Sequence, residues 1–131
     1  MKAIRIDVTN KTINMVEIGT ELQDLYDALD CEVVTAVFPQ DPTLRVELYV
    51  DEESLIKDFH DIPGAFAPNF YTVQPLFGHG LIVSHDSETG ELCDVKMTVE
   101  EAVEQIRFLS DYETRYFFEY YTTIPPIVIS F

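Results

Sequence analysis

Three stretches of strict alternation constrain this chain more than any other feature. Ile4, Ile6 and Val8 share one side, with Arg5 and Asp7 on the other. Leu44, Val46, Leu48 and Val50 oppose Arg45, Glu47 and Tyr49, and Cys93, Val95 and Met97 oppose Leu92, Asp94 and Lys96. Side chains alternate across a strand, so each stretch predicts a strand with one face on a core. Turns supply the partners. Thr9 to Thr12 sends the first strand back as Ile13 to Ile18, the segment 39–43 joins Val33–Phe38 to Leu44–Val50, and Asp86 to Glu91 joins Leu81–His85 to Leu92–Met97. Connections this short pair strands antiparallel.

Two helices are predicted from their starts. Thr20-Glu21-Leu22-Gln23 and Thr98-Val99-Glu100-Glu101 both match the capping-box pattern. The first opens a helix over 21–30 with Leu22, Leu25, Tyr26 and Leu29 inward, and the second a helix with Val99, Ala102, Val103, Ile106 and Leu109 as its stripe. Residues 51–77 are less regular. Asp51-Glu52-Glu53-Ser54 can start one helical turn, and 61–70 reads as a loop packed by Phe66, Phe70 and Phe77. The aromatic run Tyr112, Tyr116, Phe117, Phe118, Tyr120 and Tyr121 suits a helix by its spacing and a strand by propensity. Ile127 to Phe131 reads as a terminal strand. The resulting expectation is one α+β domain over 1–131, with an antiparallel sheet of about six strands packed with two short helices. Residues 111–131 form its aromatic extension.

Charge limits the partners. Asp and Glu number 24 against 8 Lys and Arg, a net charge of −16 on 131 residues. Such a chain repels nucleic-acid phosphate and anionic membranes and attracts basic surfaces. A hydrophobic content of 47% still marks it as globular rather than disordered. No apolar run approaches the ~20 residues that span a bilayer, and the alternating N-terminus reads as a strand, not a signal peptide. Cys31 and Cys93 sit in apolar-periodic contexts, which predicts buried free thiols in a reducing compartment, hence the cytoplasm.

No catalytic constellation emerges. His60, His79 and His85 match no zinc spacing and read as surface or loop histidines, so no metal site is expected. Gly78-His79-Gly80 lacks the lysine and strand-to-helix context of a phosphate loop. The glycine in 86–91 comes one position early for a calcium loop. Ser54, Ser84, Ser87 and Ser110 lack a nucleophile elbow. The expectation is a binding protein without a cofactor, not an enzyme.

A family resemblance rests on the order of parts. The Met1-Lys2-Ala3 strand and a short helix lead to a hairpin ending in Tyr49-Val50-Asp51-Glu52; Pro68-Asn69, then Phe77-Gly78-His79-Gly80-Leu81-Ile82-Val83 and a capped helix follow. This resembles a family of small domains of unknown function found in bacterial, plasmid and phage proteins, over about residues 1–109. The resemblance implies an α+β fold and a mobile-element origin, and no catalytic residues.

Three functions are weighed. Duplex DNA presents a charge every ~1.7 Å, so a protein mimic of it needs carboxylates in rows. Glu21, Asp24 and Asp27 on the first helix and Glu100, Glu101 and Glu104 on the second supply such rows. They predict an acidic face that docks on a basic nucleic-acid-binding surface of a host protein, as a counter-defence inhibitor would. The alternative is a small-ligand or enzymatic site in the 60–80 loop around His60, Asn69 and His79. The third is an oligomeric accessory protein that self-associates through Tyr112, Tyr116, Phe117 and Tyr120, because aromatics favour interface cores.

Overall fold

The structure, a computed structural model, describes residues 1–37, 43, 45–69 and 74–123. Its main sheet has six strands, all neighbours antiparallel: β1 (Lys2–Asp7), β2 (Thr12–Glu17), β3 (Val34–Val37), β4 (Glu47–Asp51), β7 (Gly80–His85) and β8 (Leu92–Cys93). The order is β2-β1-β7-β4-β3, with β8 on the end of β7. A second antiparallel sheet of three strands, in the order β6-β5-β9, comprises β5 (Ala65–Pro68), β6 (Leu76–Phe77) and β9 (Ile106–Phe108). The helices are α1 (Leu22–Leu29), α2 (Val99–Gln105) and α3 (Asp111–Thr123). The expected α+β architecture is present, with three helices rather than two and a second sheet. No helix among the described residues is long and apolar enough to cross a membrane. Phe38, Leu44, Phe70, the 39–42 connection and the terminal segment Ile127–Phe131 lie outside the described residues.

The alternation read from β1 sorts the interior into layers. Ile4, Ile6 and Val8 join Val46, Leu48, Val50, Phe66, Ile82, Met97, Ala102 and Ile106 in one buried cluster. Their neighbours on the other face of the sheet, Ala3, Leu81 and Val83, pack on Leu25 and Leu29 of α1. Helices α1 and α2 therefore cover opposite faces of the main sheet. A third cluster of Ala65, Phe77, Leu109 and Phe118 seats α3 against the second sheet. There the Phe118 ring lies 5.4 Å from Phe59 and 5.7 Å from Phe77, the latter edge to face.

Several local expectations are corrected. Helix α1 is capped one residue later than predicted: Glu21 is the N-cap, and its N–H donates to Asp24 Oδ2 at 3.0 Å. The α2 box forms as predicted, with Thr98 Oγ1 accepting from Glu101 N at 3.1 Å and Glu101 Oε1 from Thr98 N at 3.2 Å. However, α2 stops at Gln105. Ile106 is extended and pairs with Pro68, and Leu109 N donates to Ala65 O, so both are buried as part of a strand connection. Within α2 itself, Val103 is exposed rather than part of the apolar stripe. The 61–70 loop contains β5, whose unpaired edge recruits this segment. Residues 94–97 leave the strand after Cys93, and the buried Ser84 hydroxyl holds them by accepting from Lys96 N at 2.9 Å while donating to Arg45 O. The open choice at 111–121 resolves to helix. Ser110 Oγ accepts from Glu113 N and Glu113 Oε1 from Ser110 N, each at 3.1 Å, a complete capping box.

Candidate functional site

The site forms where α1 ends and β4 stops. No basic residue lies in the last turn of α1. Arg5 of β1 supplies one from below, donating from Nε to Ala28 O at 2.8 Å and from Nη1 to Asp7 at 3.0 Å. A cation at a helix C-terminus satisfies both the free carbonyls and the macrodipole. Asp30 then turns the chain through a left-handed conformation (φ 52°, ψ 50°), which Asp tolerates better than most residues. The chain leaves toward β3 with Cys31 and Glu32 beside the C-terminal end of β4. There Asp51 is buried, accepting from Glu53 N at 2.9 Å and from Lys57 Nζ at 2.5 Å. This ion pair folds the short 3₁₀ turn Ser54–Ile56 back over the strand end.

A cleft of about 490 Å³ results, lined by Asp30, Cys31, Glu32, Glu53, Ile56 and Lys57. Its only cation, Lys57, is already bound to Asp51, and that hydrogen bond holds its pKa above the ordinary value. Asp30, Glu32 and Glu53 make no ion pair with any described residue. Cys31 is half-buried rather than buried. Burial, with the Asp51 carboxylate adding to it, pushes its thiol up to about 11. The thiol is therefore protonated at neutral pH and is a poor nucleophile. The cleft offers fixed negative charge and no activated group. Among the described residues no cluster of His, Cys, Asp and Glu is placed to hold a metal ion.

A smaller pocket of about 110 Å³ shares Asp30 and Lys57 with the cleft and adds Asp51, Ser54, Asp61 and His79 to its lining. Small-ligand sites typically occupy ~300–1,000 Å³, so this one is undersized. His79 lies in the loop between β6 and β7, as expected, but it is buried rather than on the surface. Its Nδ1 accepts from Val8 N at 3.2 Å, which leaves the neutral ring's proton on Nε2. Burial first, and the nearby Arg5 next, hold its pKa below the ordinary 6.5. Asp7 Oδ1 lies 3.8 Å away. Burial opposes ionisation of Asp7, but bonds from the Asn10 N–H and side-chain amide and from Arg5 outweigh it and bring its pKa to about 2.

The sign of the pH dependence follows. A histidine depressed in the folded state contributes stability above its ordinary pKa, and that contribution is lost as pH falls through 6.5 toward the folded value. The Asp7 contribution is lost only as pH falls from 3.8 toward about 2. Urea midpoints should therefore decline in two stages on acidification. His79→Phe leaves the Val8 N–H without an acceptor and should cost about 1–3 kcal/mol at neutral pH. Its profile should be flat across the upper stage. A variant that keeps the upper decline would assign that decline to another group.

The sequence-predicted sites separate in space. Glu21 and Asp27 are exposed on α1, whereas Asp24 is half-buried and committed to the cap, with Gly19 leaving room for its carboxylate. Glu100 and Glu104 are exposed on α2, and Glu101 serves its cap. The six carboxylates thus form two patches on opposite faces of the main sheet. Of His60, Asn69 and His79, only His79 lines the smaller pocket. His60 is exposed on a 3₁₀ turn, and Asn69 is exposed with its N–H donating to Gln105 O at 2.7 Å. Tyr112, Tyr116 and Tyr120 are exposed on α3, while Phe117 is half-buried toward the body. Sequence reasoning missed Asp30, Glu32, Glu53 and Lys57 as a group, because only the α1 and β4 ends bring them together.

No curated protein and no solved structure matches this chain. A family model described as a domain of unknown function, DUF3846, matches residues 1–107. That span takes in the main sheet, α1, α2 and the cleft, ends within β9 of the second sheet and stops short of α3, and the chain belongs to this DUF3846 family.

Proposed function

We propose that this chain is an acidic protein-binding module whose docking surface is the α1 side of the main sheet. The cleft between Asp30 and Glu53 receives an arginine or lysine side chain of the partner. One observation carries the reading: Asp30, Glu32 and Glu53 line a single concavity with no ion pair to any described residue, while the one cation there is held by Asp51. Glu21 and Asp27 extend the same charge along α1. A guanidinium entering the cleft gains charge-assisted hydrogen bonds from a pre-formed site. The partner's basic surface is one that otherwise holds nucleic acid, and the module blocks it, as a mobile element's inhibitor of a host nuclease would.

The test is capture of proteins from a nuclease-treated bacterial lysate on the immobilised chain. The bound protein should be basic, should elute as salt rises, and should be released by added duplex DNA. Exposed charge pairs are screened within ~3 Å at 1 M salt. A partner retained undiminished at that ionic strength would overturn the reading, and one indifferent to DNA would remove the nucleic-acid element of it.

A further inference from the structure

Helix α3 lies beyond the span of the family match and carries an aromatic ridge. Tyr112, Tyr116 and Tyr120 recur every fourth residue on one face and are 78%, 54% and 52% exposed. Among the described residues nothing packs across them from another element. The opposite face is fully occupied: Phe118 is buried, and Phe117 and Tyr121 stack at 6.5 Å against the body. Along the ridge, Tyr112, Arg115, Tyr116 and Glu119 enclose a notch of about 150 Å³. Those positions are i, i+3, i+4 and i+7, the four residues that form the hole for a knob in helix-on-helix packing. The notch is shaped for a side chain from a second helix.

Charge identifies that helix. The chain as a whole carries −16, but two of the three acids of α3 are paired, Glu113 with Arg107 of β9 and Glu119 with Arg115 of the helix itself, which leaves only Asp111 without an ion pair among the described residues. Arg107 Nη1 lies 2.9 Å from Glu113, and Arg115 Nε lies 3.1 Å from Glu119. Arg115 also stacks over the Phe59 ring at 5.2 Å, which fixes it at the rim of the notch. A strongly basic partner gains more from the acidic α1 side than from this face. A second copy approaching here meets the least self-repulsion. The rim holds one cation and one anion, so an antiparallel copy brings its Glu119 to Arg115 and its Arg115 to Glu119.

We propose that α3 is a homodimer interface, two copies packing antiparallel about a two-fold axis near Tyr116 with each Tyr116 seated in the notch of the other. A beside-the-ridge groove of about 460 Å³, lined by Phe59, Ile62, Pro63, Tyr112 and Arg115, then receives Tyr120 of the second copy. The contact is isologous, as a two-fold requires. Three tyrosines bury less than the ~800 Å² per partner of a standard interface, which places the contact among the weak, transient ones.

Sedimentation equilibrium of the full chain over roughly 1 µM to 1 mM tests this. A monomer–dimer equilibrium is expected that tightens with salt, because repulsion between two acidic chains is screened. Tyr116→Ser should weaken it by tenfold or more, with far-UV circular dichroism and thermal midpoint unchanged. Arg115→Glu and Glu119→Arg should each weaken self-association, and an equimolar mixture of the two chains should restore it as a heterodimer. Restoration in the mixture identifies the occupant as a second copy. A chain monomeric at every concentration overturns the proposal, whether a foreign protein or residues 124–131 of the same chain cover the ridge. A dimer that ignores Tyr116→Ser, or that salt dissociates, overturns it equally.

Discussion

Phe66→Ala is expected to destabilise the domain by about 3–5 kcal/mol, the cost of truncating a buried phenylalanine in a core that relaxes only partly. Phe66 is fully buried and is the largest side chain so enclosed among the described residues. It stands in β5 between Leu76 of β6 and Phe108 of β9, and its ring reaches the main sheet at Gly80. A Cβ at Gly80 would lie 2.7 Å from Phe66 Cζ and 3.0 Å from Ile6 Cδ1. The ring therefore joins the two sheets, and glycine at the start of β7 is what admits it. Domains of this kind are held by only about 5–15 kcal/mol in total, so the loss removes a large part of their stability. A urea melt reads it directly. Tyr112→Ala, at an exposed aromatic outside the core, should move the monomer's midpoint by about 0.5 kcal/mol or less. The contact has a second signature. Gly80→Ala overpacks the same spot and should cost about 1–3 kcal/mol alone. With Phe66→Leu in place the added methyl gains room, so the double variant should be more stable than the sum of its singles. Strict additivity would mean the ring and the glycine do not meet.

The local signals in the sequence carried the main sheet well. The alternation at 4, 6 and 8 identified the buried side of β1, and Thr98 with Glu101 marked the start of α2 to the residue. The end of α2 was not legible. Ile106 and Leu109 continue the helical spacing, and only the tertiary demand of the β5 edge draws 106–108 into a strand. A readable signal was missed at α3: Ser110-Asp111-Tyr112-Glu113 is itself a capping box, and it decides between helix and strand where the aromatic spacing alone could not. The burial of the loop residue His79 was not legible because its acceptor role depends on Val8, which is 71 positions away. Two larger facts lie beyond any local pattern. Which face of a sheet a helix covers depends on the handedness of its connections, so the acidic rows of α1 and α2 were expected to form one face and are separated by the sheet. The cleft depends on the ends of α1 and β4 meeting. Its carboxylates looked like one helix end and one turn start, and Lys57 carried no pattern at all.

That separation gives the sharpest functional expectation. Glu32→Lys with Glu53→Lys places two cations in the cleft, and Glu100→Lys with Glu104→Lys places two on α2. Both pairs change the net charge equally, so an effect of bulk charge alone predicts equal losses of affinity for a basic ligand. A docking surface on the α1 side predicts unequal ones. Each reversed contact with a desolvated guanidinium should cost about 1.4 kcal/mol or more, so the cleft pair should weaken binding on the order of a hundredfold. The α2 pair acts only through the distant field, across more than the ~8 Å over which physiological salt screens it, and should weaken binding about threefold or less. Fluorescence anisotropy with a labelled oligoarginine peptide measures both at physiological ionic strength. Neither pair removes a capping hydrogen bond: Glu53 precedes the 3₁₀ turn without a side-chain cap and contributes its backbone N–H to Asp51, and Thr98 is served by Glu101. Thermal midpoints near wild type should confirm intact folds. Raising the salt further should shrink the α2 effect more than the cleft effect, since a charge held in a cleft is screened less than one on an open helix face. Equal losses for the two pairs would reduce the acid of this chain to a solubilising coat and sink the cleft as its binding site.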